Sequence, residues 1–298
     1  LLRFHTVLPR FLCRSCNRRG NMMYLYLLRT AEMWVKTTIL TDSKEGHSMV
    51  HSEVQILAPL PSLLRQNGKQ IENAKQWQEN REALRDAVLQ FFYGGMPPEP
   101  TVYRLEVVED NGRGGCSLYR IHTGSEDKQI TITLRLYRPD LAGKLPVLVC
   151  GDGCWQEFND ETIHAALDRG YIVAHFDRCD AANDSYHYDP PHKLFDIYPD
   201  GHFTILSAWA WAYKRVVDAL YTMDFVDRAK IGITGHSRGG KTVLLAAAAD
   251  ERITYANPND SGANGCGCYR VLQLEPDGTH DQRNETMADL LNAIPQWV

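Results

Sequence analysis

The sequence has 298 residues with ordinary hydrophobic (44%) and charged (23%) fractions, enough for one large α/β domain with a sizeable core. Its formal net charge is −5 and it has no run of Lys or Arg, so nucleic acid is not expected as a partner. No apolar run approaches the ~20 residues that a membrane helix needs, so no membrane partner is predicted. The pattern does not distinguish a cytoplasmic from a secreted protein and does not predict an oligomeric state.

The N-terminal part of the chain differs from the rest. Residues 1–50 have no steady hydrophobic period, and we expect them to be poorly ordered or foreign to the domain that follows. Residues 51–298 are predicted to form that domain. Within it, residues 73–93 have the spacing of an amphipathic helix, which Gly94-Gly-Met-Pro-Pro98 is expected to end. The apolar side chains of that helix share one predicted face: Trp77, Leu84, Val88, and Phe91 or Phe92.

Strands and helices then alternate. Short apolar or alternating runs predict strands at 102–108, 117–121, 130–137, 145–150, 171–176, 231–234 and 253–256. Helices are predicted at 160–169, 203–222 and 242–249. The continuous apolar run at 145–150 is typical of a strand buried in a parallel sheet, and the loop Gly151–Trp155 leaves its carboxyl end, where such sheets bind ligands. This alternation predicts an α/β fold with a mainly parallel sheet.

One motif in this series carries chemistry. Gly235-His236-Ser237-Arg238-Gly239 lies between the β-branched run Ile231–Thr234 and the alanine-rich run Thr242–Ala249. Strand, tight turn with G-x-S-x-G, and helix together form the nucleophile elbow of α/β-hydrolases. The glycines are needed because a Cβ would crowd the crossing backbone, and the helix directs N–H groups toward the serine. The alternative is an ordinary turn that carries a serine; the flanking strand and helix favour Ser237 as a nucleophile.

Four passages of the sequence resemble carbohydrate esterase family 15, the glucuronoyl methylesterases. Gly235 to Lys241 matches the family's G-x-S-R-x-G-K, and Asn259 to Gly265 followed by Cys268-Tyr-Arg270 resembles its E-S-G-x-G-G…C-[WY]-R. Trp209-Ala-Trp211 resembles its W-A-W segment, and Gln76 to Pro98 resembles its entry helix. The resemblance implies an α/β-hydrolase fold, with a mainly parallel central sheet and helices on both faces. It also implies a serine esterase that acts on 4-O-methyl-glucuronate esters of plant polysaccharide.

The resemblance assigns roles to two cationic residues. It implies that Arg238, directly after the nucleophile, helps to hold the oxyanion, and that Lys241 contacts the uronate sugar. A guanidinium beside a developing alkoxide is a charge-assisted donor, and Lys241 lies one helical turn from Ser237. The alternative for both residues is a solvated helix start.

The resemblance places the acid of the triad at Asp260, where the family has glutamate. Aspartate is shorter by one methylene, so its carboxylate must be brought closer to the histidine that it orients. The alternative is that Asp260 caps the loop that begins at Pro258. His236 replaces the family's cysteine before the nucleophile, and adjacent side chains on a tight turn diverge, so His236 is not expected to be the base.

A serine hydrolase also needs a general base, and in the order Ser, acid, His this histidine follows the acid. Only His280 follows Asp260 in the sequence. The family's base comes much later, so we expect a C-terminally truncated hydrolase whose last strands are missing; His280 as the base is the alternative.

Taken together, the sequence predicts a serine carboxylic-ester hydrolase that resembles 4-O-methyl-glucuronoyl methylesterase and forms an acyl-enzyme. The alternatives are another polysaccharide ester hydrolase of the acetyl esterase type, or a non-catalytic α/β-hydrolase-like protein. The predicted partner is a carbohydrate ester, and neither a cofactor nor a metal site is expected, because no His/Cys/Asp/Glu cluster has ligand spacing.

Overall fold

A computed structural model describes residues 53–56, 65–66, 68–155, 158–184, 192–268, 271–274, 277 and 285–297. The chain divides into two compact units, one formed by residues 1–58 and 271–281 and the other by residues 59–270 and 282–298. Residues 1–50 lie outside the described residues, so the prediction for that segment and for its boundary stays a prediction.

The helices and strands follow in chain order. They are β1 (Glu53–Ile56), β2 (Arg65–Gln66), β3 (Lys69–Gln70), α1 (Ala74–Tyr93), β4 (Val102–Glu109), β5 (Cys116–Gly124), β6 (Gln129–Tyr137), β7 (Leu145–Cys150), α2 (Asp160–Leu167), β8 (Ile172–Phe176), α3 (Leu194–Ile197), α4 (Ile205–Tyr221), β9 (Val226–His236), α5 (Arg238–Ala249), β10 (Tyr255–Asn259), β11 (Val271–Leu274) and α6 (Met287–Ala293). In the first unit, β1 pairs antiparallel with β11. In the second unit, single 3₁₀ turns occur at Gly153–Trp155, Arg178–Asp180 and Pro295–Trp297.

The second unit is built on a seven-stranded sheet in the order β10-β9-β7-β8-β6-β5-β4. The neighbours from β10 to β8 pair in parallel, whereas β8, β6, β5 and β4 pair antiparallel, so the sheet that was predicted to be mainly parallel is mixed. The chain passes from β7 outward to β8 and then back across β7 to β9. Right-handed crossovers in these opposite directions place α2 on one face and α4 and α5 on the other. The chain leaves the neighbouring strands β7 and β9 in opposite directions. Sheets of α/β proteins bind ligands in the crevice that forms at such a point.

Helix α4 forms the centre of the core and positions the loops at this edge. Trp209, Trp211 and Tyr213 are fully or almost fully buried on it. The Tyr213 hydroxyl accepts a hydrogen bond from Gly151 N (2.7 Å) and donates to Thr234 O (3.3 Å), so it joins the ends of β7 and β9. Trp209 Nε1 donates to Ala182 O (2.9 Å) in the loop after β8. None of the described helices has the length and apolar character needed to cross a membrane.

Helix α1 is present with the predicted bounds, and Asn73 caps its first turn. The predicted apolar face is covered only in part: Leu84 (40%), Val88 (38%) and Phe91 (82%) are exposed, whereas Trp77 and Phe92 are half-buried. The helix packs through its last turns: Leu89 and Phe92 are half-buried against the core, and Tyr93 O accepts hydrogen bonds from Thr204 N and Ser207 Oγ, both at 3.0 Å. Helical periodicity shows which side chains share a face but does not show whether another element covers that face.

We expect Gly94→Ala to destabilise the protein more than Gly112→Ala. Both glycines have φ = +61°, where an L side chain is strained by about 1 kcal/mol or more. A Cβ at Gly94 would overlap His202 O, whereas a Cβ at Gly112 would have no heavy atom within 4 Å. Chemical denaturation should give a loss of about 1 kcal/mol for Gly112→Ala and about 2–4 kcal/mol for Gly94→Ala. Equal losses of stability in the two variants would show that the close approach of His202 O is not the reason for a glycine at the end of α1.

Candidate functional site

Ser237 lies on a strained turn between β9 and α5, as the elbow motif predicts. Its backbone is at φ = +53°, ψ = −115°, a region that non-glycine residues rarely adopt. Ser237 N donates to Asn259 O (2.8 Å), which ties the turn to the end of β10. A Cβ at Gly235 would lie 2.6 Å from the backbone of Gly239, so the first glycine of the motif is sterically required. The elbow is therefore present, and the nucleophilic role of Ser237 stays a prediction.

The buried carboxylate of Asp152, at the end of β7, supports this turn. Its Oδ2 accepts a hydrogen bond from His236 N at 2.7 Å, and the side chain is fully buried. Its two oxygens occupy the space that a Cβ at Gly239 would need. The second glycine of the motif is thus required because this carboxylate, rather than backbone, lies against it.

A row of buried charges continues from Asp152 to Arg238. Arg178, which is fully buried, bonds through Nη1 to Asp152 Oδ1 and through Nη2 to Asp184 Oδ2 (3.1 Å). The other Asp184 oxygen accepts from Arg238 Nη1 at 2.6 Å. Burial opposes the charge of Arg178, but the charges of its neighbours, with Asp152 contributing most among them, together outweigh burial and raise the pKa of the guanidinium. The row alternates in sign, so each buried charge has an opposite neighbour.

Three tryptophans surround the two arginines of this row. The Cζ atoms of Arg178 and Arg238 both lie 4.9 Å from the ring centroid of Trp155. Arg178 also lies 4.6 Å from the Trp209 ring, and Arg238 lies 4.8 Å from the Trp297 ring. Aromatic rings attract cations at these distances and exclude water from the ion pairs. Arg238 is therefore a buried, fixed cation beside Ser237, and the alternative of a solvated helix start is wrong for this residue.

Lys241 is also buried, with 2% of its surface exposed, so that alternative is wrong here too. Its Nζ donates to Ser261 O (2.7 Å), Ala263 O (2.5 Å) and the carboxylate of Glu285, which satisfies the three donors of an ammonium. Burial lowers the pKa of Lys241, and the hydrogen bond and charge of Glu285 oppose this effect. The side chain of Glu285 keeps 37% of its surface exposed, so this carboxylate is the accessible member of the pair.

Asp260 directly follows the strand next to the elbow. In the parallel register of β10 with β9, Asn259 lies opposite His236, so the next residue, Asp260, comes level with Ser237. Asp260 is exposed and has φ = +47°. The Ser261 hydroxyl, rather than Asp260, accepts the hydrogen bond from Cys266 N in the following loop (2.9 Å). This placement is compatible with the acid of a triad, and the role stays a prediction.

The described histidines do not supply a base. His236 Nδ1 lies 2.9 Å from Asn259 Nδ2, and in the part of the chain that the structure describes no histidine is hydrogen-bonded to Ser237. His175 faces a different region, a cavity of about 660 Å³ over β6 and β8 that Ser237 does not line. His280 lies outside the described residues.

Cys154, Cys179 and Asp184 bring possible metal-ligand atoms within 4.8 Å of one another. Both Asp184 oxygens are already bonded to arginines, whose charges repel a cation. The hydrogen bond with Cys154 and burial raise the pKa of the Cys179 thiol, which disfavours the thiolate that a metal needs. We therefore assign Asp184 to the row of charges and not to a metal site.

Sequence reasoning identified Ser237, Arg238, Lys241 and Asp260, and the structure gathers them at one edge of the sheet. It missed Asp152, Arg178, Asp184 and Glu285. Three of these residues follow the carboxyl ends of β7 and β8, and that position was the signal that could have found them. No sequence pattern pairs Glu285 with Lys241 across 44 residues.

Comparisons with known proteins identify relatives of this chain. The 4-O-methyl-glucuronoyl methylesterase of Podospora anserina is 26% identical over 227 residues, which are 74% of this chain and 44% of that relative. This chain thus spans less than half the length of that curated relative.

Solved structures show the same fold. A carbohydrate esterase family 15 glucuronoyl esterase from Caldicellulosiruptor kristjansonii is 25% identical with a TM-score of 0.65, covering 81% of this chain and 66% of that one. A mutant glucuronoyl esterase from Sporotrichum thermophile, in complex with methyl 4-O-methyl-beta-D-glucopyranuronate, is 21% identical with a TM-score of 0.59, covering 73% and 56%. The chain therefore has the α/β-hydrolase fold. Because the family model described as "Glucuronyl esterase, fungi" matches residues 105–294, more than half of the chain, this protein belongs to the glucuronyl esterase family.

Proposed function

We propose that this protein is a serine carboxylic-ester hydrolase that cleaves 4-O-methyl-glucuronate esters of plant polysaccharide. The observation that carries the proposal is the strained elbow: a chain of this family presents Ser237 at φ = +53° beside the buried cation Arg238. A backbone held in an unfavourable region at one serine is the signature of a group kept in place for reaction.

In the proposed reaction, Ser237 Oγ attacks the ester carbonyl and forms a tetrahedral intermediate. The Arg238 guanidinium and the N–H groups at the start of α5 stabilise its oxyanion, because they are fixed donors in a site with little water. The alcohol then leaves, and water hydrolyses the acyl-enzyme to release the uronic acid. The base that takes the Ser237 proton lies outside the described residues, and Asp260 orients it.

The substrate class follows from Lys241 and Glu285 together with the relatives. The Sporotrichum thermophile esterase was solved with a methyl ester of 4-O-methyl-glucuronate. In this chain, Glu285 presents a partly exposed carboxylate, and it is bonded to Lys241, which lies one helical turn from Ser237. A fixed carboxylate accepts hydrogen bonds from sugar hydroxyls, so we propose that Lys241 acts on the uronate through Glu285.

We expect the protein to hydrolyse methyl 4-O-methyl-glucopyranuronate, measured by release of methanol or of the free acid. Ser237→Ala should reduce the rate about 10⁴-fold or more, because only attack by water assisted by the oxyanion donors remains. An acetylated xylan oligosaccharide serves as the comparison substrate. Faster release of acetate than of methanol would favour the acetyl esterase alternative, and no hydrolysis of either by a folded protein would favour a non-catalytic protein.

A fluorophosphonate should label Ser237 of the folded protein, because the reaction requires an activated hydroxyl. Intact-mass spectrometry would show one adduct in the wild type and none in Ser237→Ala. Loss of the adduct in His280→Ala would identify His280 as the base, and an adduct that persists would place the base at another histidine. A folded wild-type chain that is not labelled would contradict the proposal for this chain.

We expect Lys241→Met to lower kcat/KM for the uronate methyl ester about 10- to 100-fold, the value of one or two charged hydrogen bonds. Hydrolysis of p-nitrophenyl acetate, which has no sugar, should change less than about threefold on the same basis. Lys230→Met is the control, because Lys230 forms an exposed pair with Asp227 (67% and 24% of their side-chain surfaces exposed). Equal losses on both esters would mean that Lys241 supports the fold rather than the sugar site.

A further inference from the structure

Arg238 needs a fixed position if it is to stabilise an oxyanion, and one carboxylate that bonds its guanidinium comes from a distant loop. Asp184 lies 54 residues before Arg238, in the segment after β8, and its Oδ1 accepts from Arg238 Nη1 at 2.6 Å. Both side chains are largely buried, with 9% and 11% of their surfaces exposed. An arginine side chain has many rotamers, and the ring faces of Trp155 and Trp297 do not set the direction of its N–H groups as a hydrogen bond does.

Asp184 is itself held from the opposite side. Its Oδ2 accepts from Arg178 Nη2 at 3.1 Å, and Arg178 bonds to the Asp152 carboxylate that supports the elbow. A continuous chain of hydrogen bonds therefore connects the Arg238 guanidinium to the turn that carries Ser237. A guanidinium has five N–H donors, so a bond to Asp184 and a bond to an oxyanion can exist together.

We propose that Asp184 is a positioning residue, which holds the Arg238 guanidinium in the orientation that receives the oxyanion formed at Ser237. The inference rests on the proposed function, because the oxyanion belongs to ester cleavage. Asp184 acts on the transition state and not on the bound ester, because the negative oxygen that Arg238 meets forms only during the reaction.

A double-mutant cycle tests this role. Arg238→Met should lower kcat for the uronate methyl ester about 100-fold, as is usual for loss of one oxyanion donor. Asp184→Asn should lower kcat about 10- to 100-fold and change KM less than about threefold, because ground-state binding is retained. The double variant should be no slower than Arg238→Met alone, within about threefold, because Asp184 has no effect once its partner is gone.

Two further variants separate positioning from a general effect on the fold. Asp180→Asn removes a carboxylate from the same region that bonds Thr133 N (3.0 Å), and its kcat should stay within about threefold of the wild type. Asp184→Glu keeps the negative charge and should recover part of the lost kcat. Melting temperatures of all variants show whether each is folded at the assay temperature. Equal losses from Asp184→Asn in the wild-type and Arg238→Met backgrounds would overturn the proposal.

A measurement without substrate keeps this inference distinct from the proposed function. In protein labelled with ¹⁵N-arginine, the Nε–Hε signal of Arg238, assigned by its absence in Arg238→Met, should report a restricted side chain. Asp184→Asn should make that side chain mobile, and Asp180→Asn should not. If the wild type hydrolyses no ester but Arg238 loosens in this way, the proposed function fails while the positioning contact stands. An Arg238 signal that Asp184→Asn leaves unchanged overturns the positioning role whatever the activity.

Discussion

The hydrogen bond from His236 N to the buried Asp152 carboxylate is the constraint on which this site depends. This hydrogen bond fixes the backbone of the residue before Ser237, and the same carboxylate fills the space beside Gly239. A buried carboxylate is costly unless its charge is compensated, and one backbone donor does not compensate it. Arg178 is therefore required next to Asp152, and the second guanidinium nitrogen then requires Asp184. Each of these buried charges requires the next one, and the first of them, Asp152, is the carboxylate that packs against the turn.

This row explains how a site at the edge of a sheet can be rigid although loops form it. The loops after β7 and β8 supply Asp152, Arg178 and Asp184, and their backbones are tied to helix α4 through Tyr213 and Trp209. Buried ion pairs contribute little net stability, because desolvation offsets their attraction, but their geometry is demanding. Under the proposal, their contribution to the site is the position of Arg238.

The sequence predicted the features that depend on neighbouring residues. The elbow, the strand at Leu145–Cys150 and the bounds of α1 all follow from local spacing, glycine positions and capping, and the structure has them. The exposed face of α1 was not predictable from the same periodicity, because tertiary contacts decide which apolar faces are covered. Arg178 and Asp184 lie in an aperiodic polar loop, where the position after a strand marks the region but no pattern shows which residues pair. Their roles depend on contacts with residues 26 and 54 positions away.

Arg238 and Lys241 lie on the same turn of α5, and the structure separates their roles by their chemistry. Burial lowers the pKa of Lys241, the charge of Arg238 lowers it further, and Glu285 restores part of it. The same burial would lower the pKa of a lysine at position 238, whereas a guanidinium stays charged there. Arginine also provides donors in a fixed plane, so one edge of the guanidinium can bond Asp184 while another bonds the oxyanion.

The ammonium of Lys241, in contrast, directs its three donors at Ser261 O, Ala263 O and Glu285, which suits a residue that holds a loop and a carboxylate. For the proposed reaction, the guanidinium next to Ser237 and the ammonium one turn away are not interchangeable, and exchanging the two residues would impair both the oxyanion site and the sugar site.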